Sequence, residues 1–487
     1  MGFGQPGRHT RTVSIIHTTD LHGHIVPTST YEGVGDVGGF ARCATQIRQW
    51  RRENPDSLLV DIGDVFQGTA ESFVNDGGMM IGLFNRLGYD AWTLGNHDFD
   101  WGREKLEANL ALSKAPVLTG NLEYGGKRPG DLGKEWRHVL PWVLKEAGGF
   151  RIALIGLITP GLPYWLTPET LGGVNVTDPA EALQRSIRES KSAGADAVVV
   201  MGHMGFRFQD DFANPLREMF RKVRGVDYFL GGHTHQNQPS WELEGVPCTQ
   251  AAYYGIYCGK VDLTFDLETR ELVGRQGGSV FMDHRFELDP AVMEFSRPEL
   301  KKSEEMLGKA VGVVTKRIEG KGKGCRLIEL FCECFSEALE RDGAAVDGVF
   351  HGSFGTGDIE PGNLTVADCW RFLPYENLLL TAEVRAEELI EIVKEDLGES
   401  NSDRTLWPFQ LALEEAGGIG RFLFKGEPVA AGRRFTIAFN SYDAQSGGQR
   451  LMKLRQIVAA AGAKRRVTSI DARTALIEGL LNRKEIS

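Results

Sequence analysis

Five short segments of this chain set metal-type ligands at the ends of apolar runs: Asp20-Leu21-His22, Gly63-Asp64, Gly95-Asn96-His97-Asp98, Gly202-His203 and Gly232-His233-Thr234-His235. The preceding runs are 13–16, 58–60, 91–94, 197–201 and 226–230. A strand that feeds a ligand-bearing loop is how α/β proteins assemble a site at one edge of a sheet. Carboxylate, imidazole and amide donors together suit a pair of divalent transition ions better than one structural zinc. Two such ions held close together are a standard device for hydrolysing phosphate esters.

Asp20 and His22 stand two residues apart, so both can face a pocket at the strand end. Asp64 follows Gly63, which permits a tight turn, and a carboxylate with two oxygens can bridge two cations. Asn96 offers a neutral amide oxygen, and His203, His233 and His235 offer imidazole nitrogens. His97 stands beside a ligand, where a protonated imidazole would stabilise a phosphorane-like transition state or protonate the leaving oxygen. Asp98 and Asp100 are rival carboxylates for orienting it. His24 reads as a neighbour of the ligands or a solvated residue, and His17 as a core histidine.

Strand-like runs alternate with helical patterns across 12–285, the signature of βαβ units. Helices are expected at 39–52, 79–87 and 178–193, the last with Asp178 as N-cap and Pro179 in the first helical position. Residues 245–286 read instead as short alternating strands at 259–265, 271–276 and 279–281, so an antiparallel edge is expected. A charged amphipathic helix at 289–307 and the Gly/Lys-rich patch 320–324 resemble a connector. Beyond them lies a mixed α/β region, with helices expected at 325–341, 366–372, 386–397 and 471–482, and strands at 347–351, 378–384 and 435–440. The domain reading is therefore 12–287, a linker helix at 288–310, and 311–487.

A length of 487 residues exceeds one typical core. A net charge of −11 argues against partners such as nucleic-acid polymers or anionic membranes. It is compatible with a small anionic substrate, because metals set the local field of a site. No apolar run is long enough for a membrane span. Residues 1–10 are Gly-rich and basic with no apolar stretch, which is not a signal peptide. The expected location is cytoplasmic, or periplasmic or secreted if a leader precedes this sequence. Seven cysteines without a regular framework favour reduced thiols, and Cys332-Glu333-Cys334 reads as plain helix cysteines. Composition leaves the oligomeric state open.

These segments resemble the motifs of the calcineurin-like metallophosphoesterases, and most closely those of the two-domain 5′-nucleotidase/UDP-sugar hydrolase group. The motifs are His17-Thr18-Thr19-Asp20-Leu21-His22-Gly23-His24, 61–69, 95–100, 202–205 and 231–235. The resemblance implies a four-layer α/β/β/α sandwich followed by a C-terminal α/β domain. It implies one divalent metal (Mn, Zn, Fe or Co) held by Asp20, His22, Asp64 and His235. A second would be held by Asp64, Asn96, His203 and His233. It also implies a His97–Asp100 dyad and in-line attack on phosphorus by a water that the metals activate. A small phosphorylated metabolite, foremost a nucleotide, is the substrate class implied.

The C-terminal region departs from the family pattern. The loop 351–358 has no Arg where the family carries one, and Gln449 stands where an Asp is expected. Tyr375 and Asn377, in a Pro-Tyr-Glu-Asn stretch, and Phe439 and Asn440 are the candidate substrate contacts. Aromatic stacking on a base contributes on the order of 1–3 kcal/mol and tolerates any base. Two alternative readings accompany the phosphomonoesterase: a phosphodiesterase or nucleotide-sugar pyrophosphatase using the same metals, and a non-enzymatic metal-binding sensor that keeps the fold.

Overall fold

The computed structural model describes residues 9–132, 136, 138–353, 355–399, 402–413, 419–483 and 485–487. Residues 1–8 of the basic N-terminal stretch, and Phe354 of the loop 351–358, lie outside the described residues. The chain divides into two compact units, 1–162 with 170–303, and 163–169 with 304–487.

The first unit is built on two sheets. In the seven-stranded sheet, Thr10–Thr18, Ser57–Asp61 and Ala91–Thr93 run parallel and side by side. In the six-stranded sheet, Phe150–Ile158, Ala197–His203 and Tyr228–Gly231 do the same. Val13, Ile15, Val60, Leu154, Val199, Met201 and Leu230 form one buried cluster, so the sheets pack face to face. Strands buried on both faces read as continuous apolar runs rather than as alternation, which is why 197–201 is Ala-Val-Val-Val-Met. Pro179–Ser192 and Leu216–Lys222 cover the outer face of the six-stranded sheet through Leu183, Ile187, Met219 and Phe220. Asp178 caps the former by accepting from the amides of Ala180 and Glu181. Phe40–Glu53 packs against the strand Tyr257–Asp266 of the other sheet.

The antiparallel edge is present, with Thr10–Thr18 pairing with Tyr257–Asp266 and that strand with Leu272–Phe281. One expectation fails here: 271–276 and 279–281 are a single strand. Gly277 and Gly278 read as a break, but Gly277 is a point of close approach. A Cβ there would collide with Tyr228 Oη and Thr249 Oγ1. The helix Pro290–Leu307 lies against the first unit, with Gly82 beside the Phe295 ring and the Arg86 guanidinium 4.0 Å above it.

The second unit centres on a five-stranded sheet in which Gly348–His351 and Arg434–Asn440 are the parallel pair. Helices Arg326–Arg341 and Ala472–Arg483 cover one face over Val349, Leu379 and Ala438. On the other face, Phe350, Leu380, Ile437 and Phe439 pack beneath Leu389 and Leu454. Successive residues of each strand point to opposite faces, so the two buried clusters take alternate positions. Residues 163–169 belong to this unit: Tyr164 O accepts from Gly448 N at 3.3 Å, and Glu169 pairs with Arg465 at 2.6 Å.

Candidate metal centre

The five ligand segments all emerge from the C-terminal ends of parallel strands. Asp20 and His22 follow Thr10–Thr18, Asp64 follows Ser57–Asp61, and Asn96 follows Ala91–Thr93. His203 ends Ala197–His203, and His233 and His235 follow Tyr228–Gly231. The loops are joined by main-chain hydrogen bonds, Asp20 N to Gly63 O and His22 N to Asp64 O, each 2.9 Å. Asp98 then ties two loops together. Its Oδ2 accepts from the amides of Gly95 (2.8 Å) and Asp64 (3.1 Å), and its Oδ1 from Val65 (2.8 Å) and Phe66 (3.3 Å).

Asp20, His22, Asp64 and His235 offer ligand atoms within 4.8 Å of one another, and so do Asp64, His203 and His233. Asp64 belongs to both groups. His203 Nε2 lies 3.1 Å from Asp64 Oδ2, His22 Nε2 lies 3.6 Å from the same oxygen, and His235 Nε2 lies 3.3 Å from Asp20 Oδ1. His22 Nε2 and His235 Nε2 are 3.2 Å apart. Asn96 Oδ1 is buried without a hydrogen-bond partner among the described residues. Orphaned buried polar atoms are rare in native proteins and call for an explanation such as an ion. Buried oxygen and nitrogen donors converging in two groups fit a pair of divalent cations.

The electrostatics of these residues agree with that fit. Burial alone would raise Asp64, but His203, His97 and His22 around it hold its carboxyl well below the usual range. Asp20 is likewise opposed by burial and lowered overall by His235 and His203. Burial opposes the charged form of His203, yet Asp64 outweighs it and pushes the imidazole up to about 9. His22 and His233 are lowered to about 3, chiefly by burial, which keeps them as neutral lone-pair donors.

His97 stands beside this cluster. Its amide donates to Asp64 Oδ1 at 2.8 Å, and its Nδ1 lies 2.7 Å from Asp100 Oδ2. Burial works against its protonation, but Asp100 and Asp64 prevail and raise it to about 10. Of the rival carboxylates, Asp100 meets the ring and Asp98 is taken up by main-chain amides. His24 stacks on Tyr254 with ring centres 3.7 Å apart, and His17 is fully buried in its strand.

The second unit disperses the candidate substrate contacts. Tyr375 is 44% exposed and Asn377 is partly buried, its carbonyl accepting from Ala472 N. Phe439 is fully buried in the core, so its ring presents no face to a base. Asn440 is also fully buried: its Oδ1 accepts from Asp443 N at 2.8 Å and its Nδ2 donates to Asp443 Oδ2 at 2.9 Å. Both were expected to meet substrate, and both are held within the second unit by these contacts. The loop without Arg is pinned by a neighbouring segment. Asp403 accepts from the amide and hydroxyl of Ser353, and Arg404 forms two hydrogen bonds to Asp443, at 2.8 and 2.7 Å.

Three contacts have no signature in the local residue pattern. Thr19 Oγ1 donates to Asp20 Oδ2 at 2.5 Å. Tyr31 and Tyr254 stand over His235, and Tyr31 is 204 positions away from it in the chain. No local pattern marks a pairing at that separation.

Two face-to-face mixed sheets thus bring two Asp/His groups able to hold metal ions to their strand ends. Residues 13–237 match the family model of the calcineurin-like phosphoesterases. The chain is 29% identical over 342 residues to a snake venom 5′-nucleotidase from Naja atra, covering 65% of this chain and 62% of the venom protein. Over 342 residues it is 28% identical to the 5′-nucleotidase of Homo sapiens, covering 65% of this chain and 57% of the human protein. It thus spans about three fifths of the length of these relatives. A 5′-nucleotidase precursor from Thermus thermophilus shares the fold at a TM-score of 0.71 and 23% identity, over 98% of this chain and 97% of that one. Among the described residues no helix is long and apolar enough to cross a membrane.

Proposed function

We propose that this protein hydrolyses phosphate monoesters with two divalent metal ions, nucleoside 5′-monophosphates being the leading substrates. The observation that carries the reading is the pair of Asp/His groups sharing Asp64, with the His97–Asp100 pair beside them. Asp20, His22, Asp64 and His235 would hold one cation, and Asp64, Asn96, His203 and His233 the other. When bound, such cations polarise a phosphoryl group and lower the pKa of water. Asp64, common to both groups, would serve both cations and lower the repulsion between them. Asp100 accepts from His97 Nδ1–H, and Asp100 and Asp64 together favour the doubly protonated ring, so that Nε2 also carries a proton for a phosphoryl or leaving oxygen. Burial of the ligands removes competing water, so that each charge–charge interaction is stronger than in bulk solvent.

The names of the relatives support a nucleotide as substrate. Tyr375 and Asn377 remain its candidate contacts, and Asp403 anchors the loop 351–358 through Ser353. The test is a panel of AMP, UDP-glucose, 2′,3′-cyclic nucleotides and bis(p-nitrophenyl) phosphate, assayed with protein loaded with Mn(II), Zn(II) or Co(II). Release of phosphate from AMP far above the others supports the reading. Preference for the diesters or UDP-glucose replaces it with the phosphodiesterase or pyrophosphatase alternative. Absence of hydrolysis together with absence of bound metal sinks both.

A further inference from the structure

Three of the ligand imidazoles have an Nδ1 contact that fixes the role of the opposite nitrogen. His22 Nδ1 lies 2.7 Å from Gln67 O, and His203 Nδ1 lies 2.7 Å from Ile62 O. A carbonyl can only accept, so both rings carry a proton on Nδ1, which leaves Nε2 as the nitrogen whose lone pair a cation would take. His235 differs. Its Nδ1 lies 2.6 Å from the phenol oxygen of Tyr31, a residue 62% exposed on the loop between the first strand and first long helix.

A phenol can donate or accept, so it does not by itself settle the tautomer. If it donated to Nδ1, the proton of a neutral His235 ring would sit on Nε2, facing Asp20 Oδ1 at 3.3 Å. No lone pair would then remain for a cation. The structure supplies the missing constraint: the Tyr31 hydroxyl donates to Tyr254 Oη at 3.3 Å. With its proton committed there, the Tyr31 oxygen accepts from His235 Nδ1–H, and Nε2 keeps its lone pair. Tyr254 is itself fixed to the site, since its amide donates to Asp20 O at 2.7 Å.

The loop is held in place to do this. Tyr31 N donates to Tyr253 Oη at 3.0 Å, and the rings of Tyr31 and Tyr253 stack with centres 4.3 Å apart. Tyr253 in turn lies against His235, with ring centres 5.1 Å apart and planes 20° apart. His235 is thus sandwiched and hydrogen-bonded by an aromatic group, where the other two imidazoles lean on buried main chain.

We infer that Tyr31 is a positioning residue for His235, setting its tautomer and ring orientation from an exposed loop with Tyr254 as the proton acceptor. The inference rests on the dinuclear reading of the site. It makes the group Asp20, His22, Asp64 and His235 the one whose affinity depends on a surface loop, while the group containing His203 does not.

Tyr31→Phe removes one hydroxyl and keeps the stacked ring. Mn(II) titration followed by electron paramagnetic resonance should show two sites in the wild type. In Y31F one site should weaken about 10–100-fold, the usual effect of losing an outer partner of a ligand, and the other should keep its affinity. In Co(II)-loaded protein the exchangeable Nδ1–H resonance of His235 should exchange faster with water or disappear. The unfolding midpoint of the metal-free variant should match the wild type. In a His235→Ala background, Y31F should have no further effect on Mn(II) binding. Two unchanged affinities with an unmoved resonance overturn the inference alone. A further loss in the His235→Ala background also overturns it, because Tyr31 would then act elsewhere. Fewer than two Mn(II) bound by the wild type overturns the dinuclear reading and this inference with it.

Discussion

His97, Asp98 and Asp100 sit within four positions of one another, and the structure gives each a separate task. His97 points one nitrogen at Asp100 and donates its amide to Asp64 without being a ligand in either group. His97→Ala should lower turnover about 10²–10⁴-fold, the usual contribution of a positioned acid or base. Metal analysis of the purified variant should still find the wild-type content. Asp98 collects four main-chain amides from the loops that carry Asp64 and Asn96. Its loss would leave those buried donors unsatisfied, each at about 1–3 kcal/mol before relaxation. Asp98→Ala should therefore lower stability by about 3 kcal/mol or more in urea unfolding and reduce bound metal. Asp100→Ala should lower turnover with little change in either quantity. If the two variants behaved alike, the division between loop anchor and imidazole partner would be wrong.

At the scale of elements, the strand-end loops are bent to aim their side chains inward. Asp20, His22, Asp64, His233 and His235 all have φ between 48° and 70°. A non-glycine residue in that region costs roughly 1–2 kcal/mol, and such costs gather where a site over-determines the backbone. Glycines let the loops touch: a Cβ on Gly95 would overlap Asp64 Oδ1 and its amide nitrogen. Gly95→Ala should displace Asp64 and weaken binding of both metals at least about 10-fold, by analogy with losing a ligand's support. Circular dichroism should show the sandwich still folded. These loops were readable because apolar run, glycine and ligand succeed one another locally, and helix ends at 40–53, 78–87 and 179–192 followed from caps and periodicity. The contacts that escaped are long-range. Tyr31 meets His235, residues 163–169 join the second unit, and Asp403 pins Ser353, none of which leaves a local pattern. The burial of Phe439 escaped for a related reason, since an aromatic beside a motif looks the same in sequence whether it faces a ligand or the core.

Across the whole molecule, the two units rest on different buried charges and should respond to different perturbations. In the first unit, cations would bring together a cluster of acids and imidazoles, so chelation should destabilise it. At a free metal concentration near 100 times the dissociation constant, binding contributes about 2.7 kcal/mol. In hydrogen exchange, EDTA should therefore increase exchange of peptides within 10–120 and 197–260 while leaving 320–480 close to its metal-loaded pattern. In the second unit, burial would raise Asp443, but the Arg404 guanidinium outweighs it and holds the carboxyl below its usual range. A group whose folded pKa lies below its unfolded value contributes stability that is complete above the unfolded pKa, about 3.9 for Asp. That contribution is lost as pH falls through the folded value. Acidification from pH 6 toward pH 3 should thus lower protection, measured against the intrinsic exchange rate at each pH, around 402–407 and 434–450. Asp443→Asn should destabilise the unit already at pH 7, by about 3–5 kcal/mol if Arg404 is left buried without its charge partner. The same variant should flatten the acid dependence in this segment. An unchanged acid profile in Asp443→Asn would mean that other carboxylates govern the acid response of the second unit.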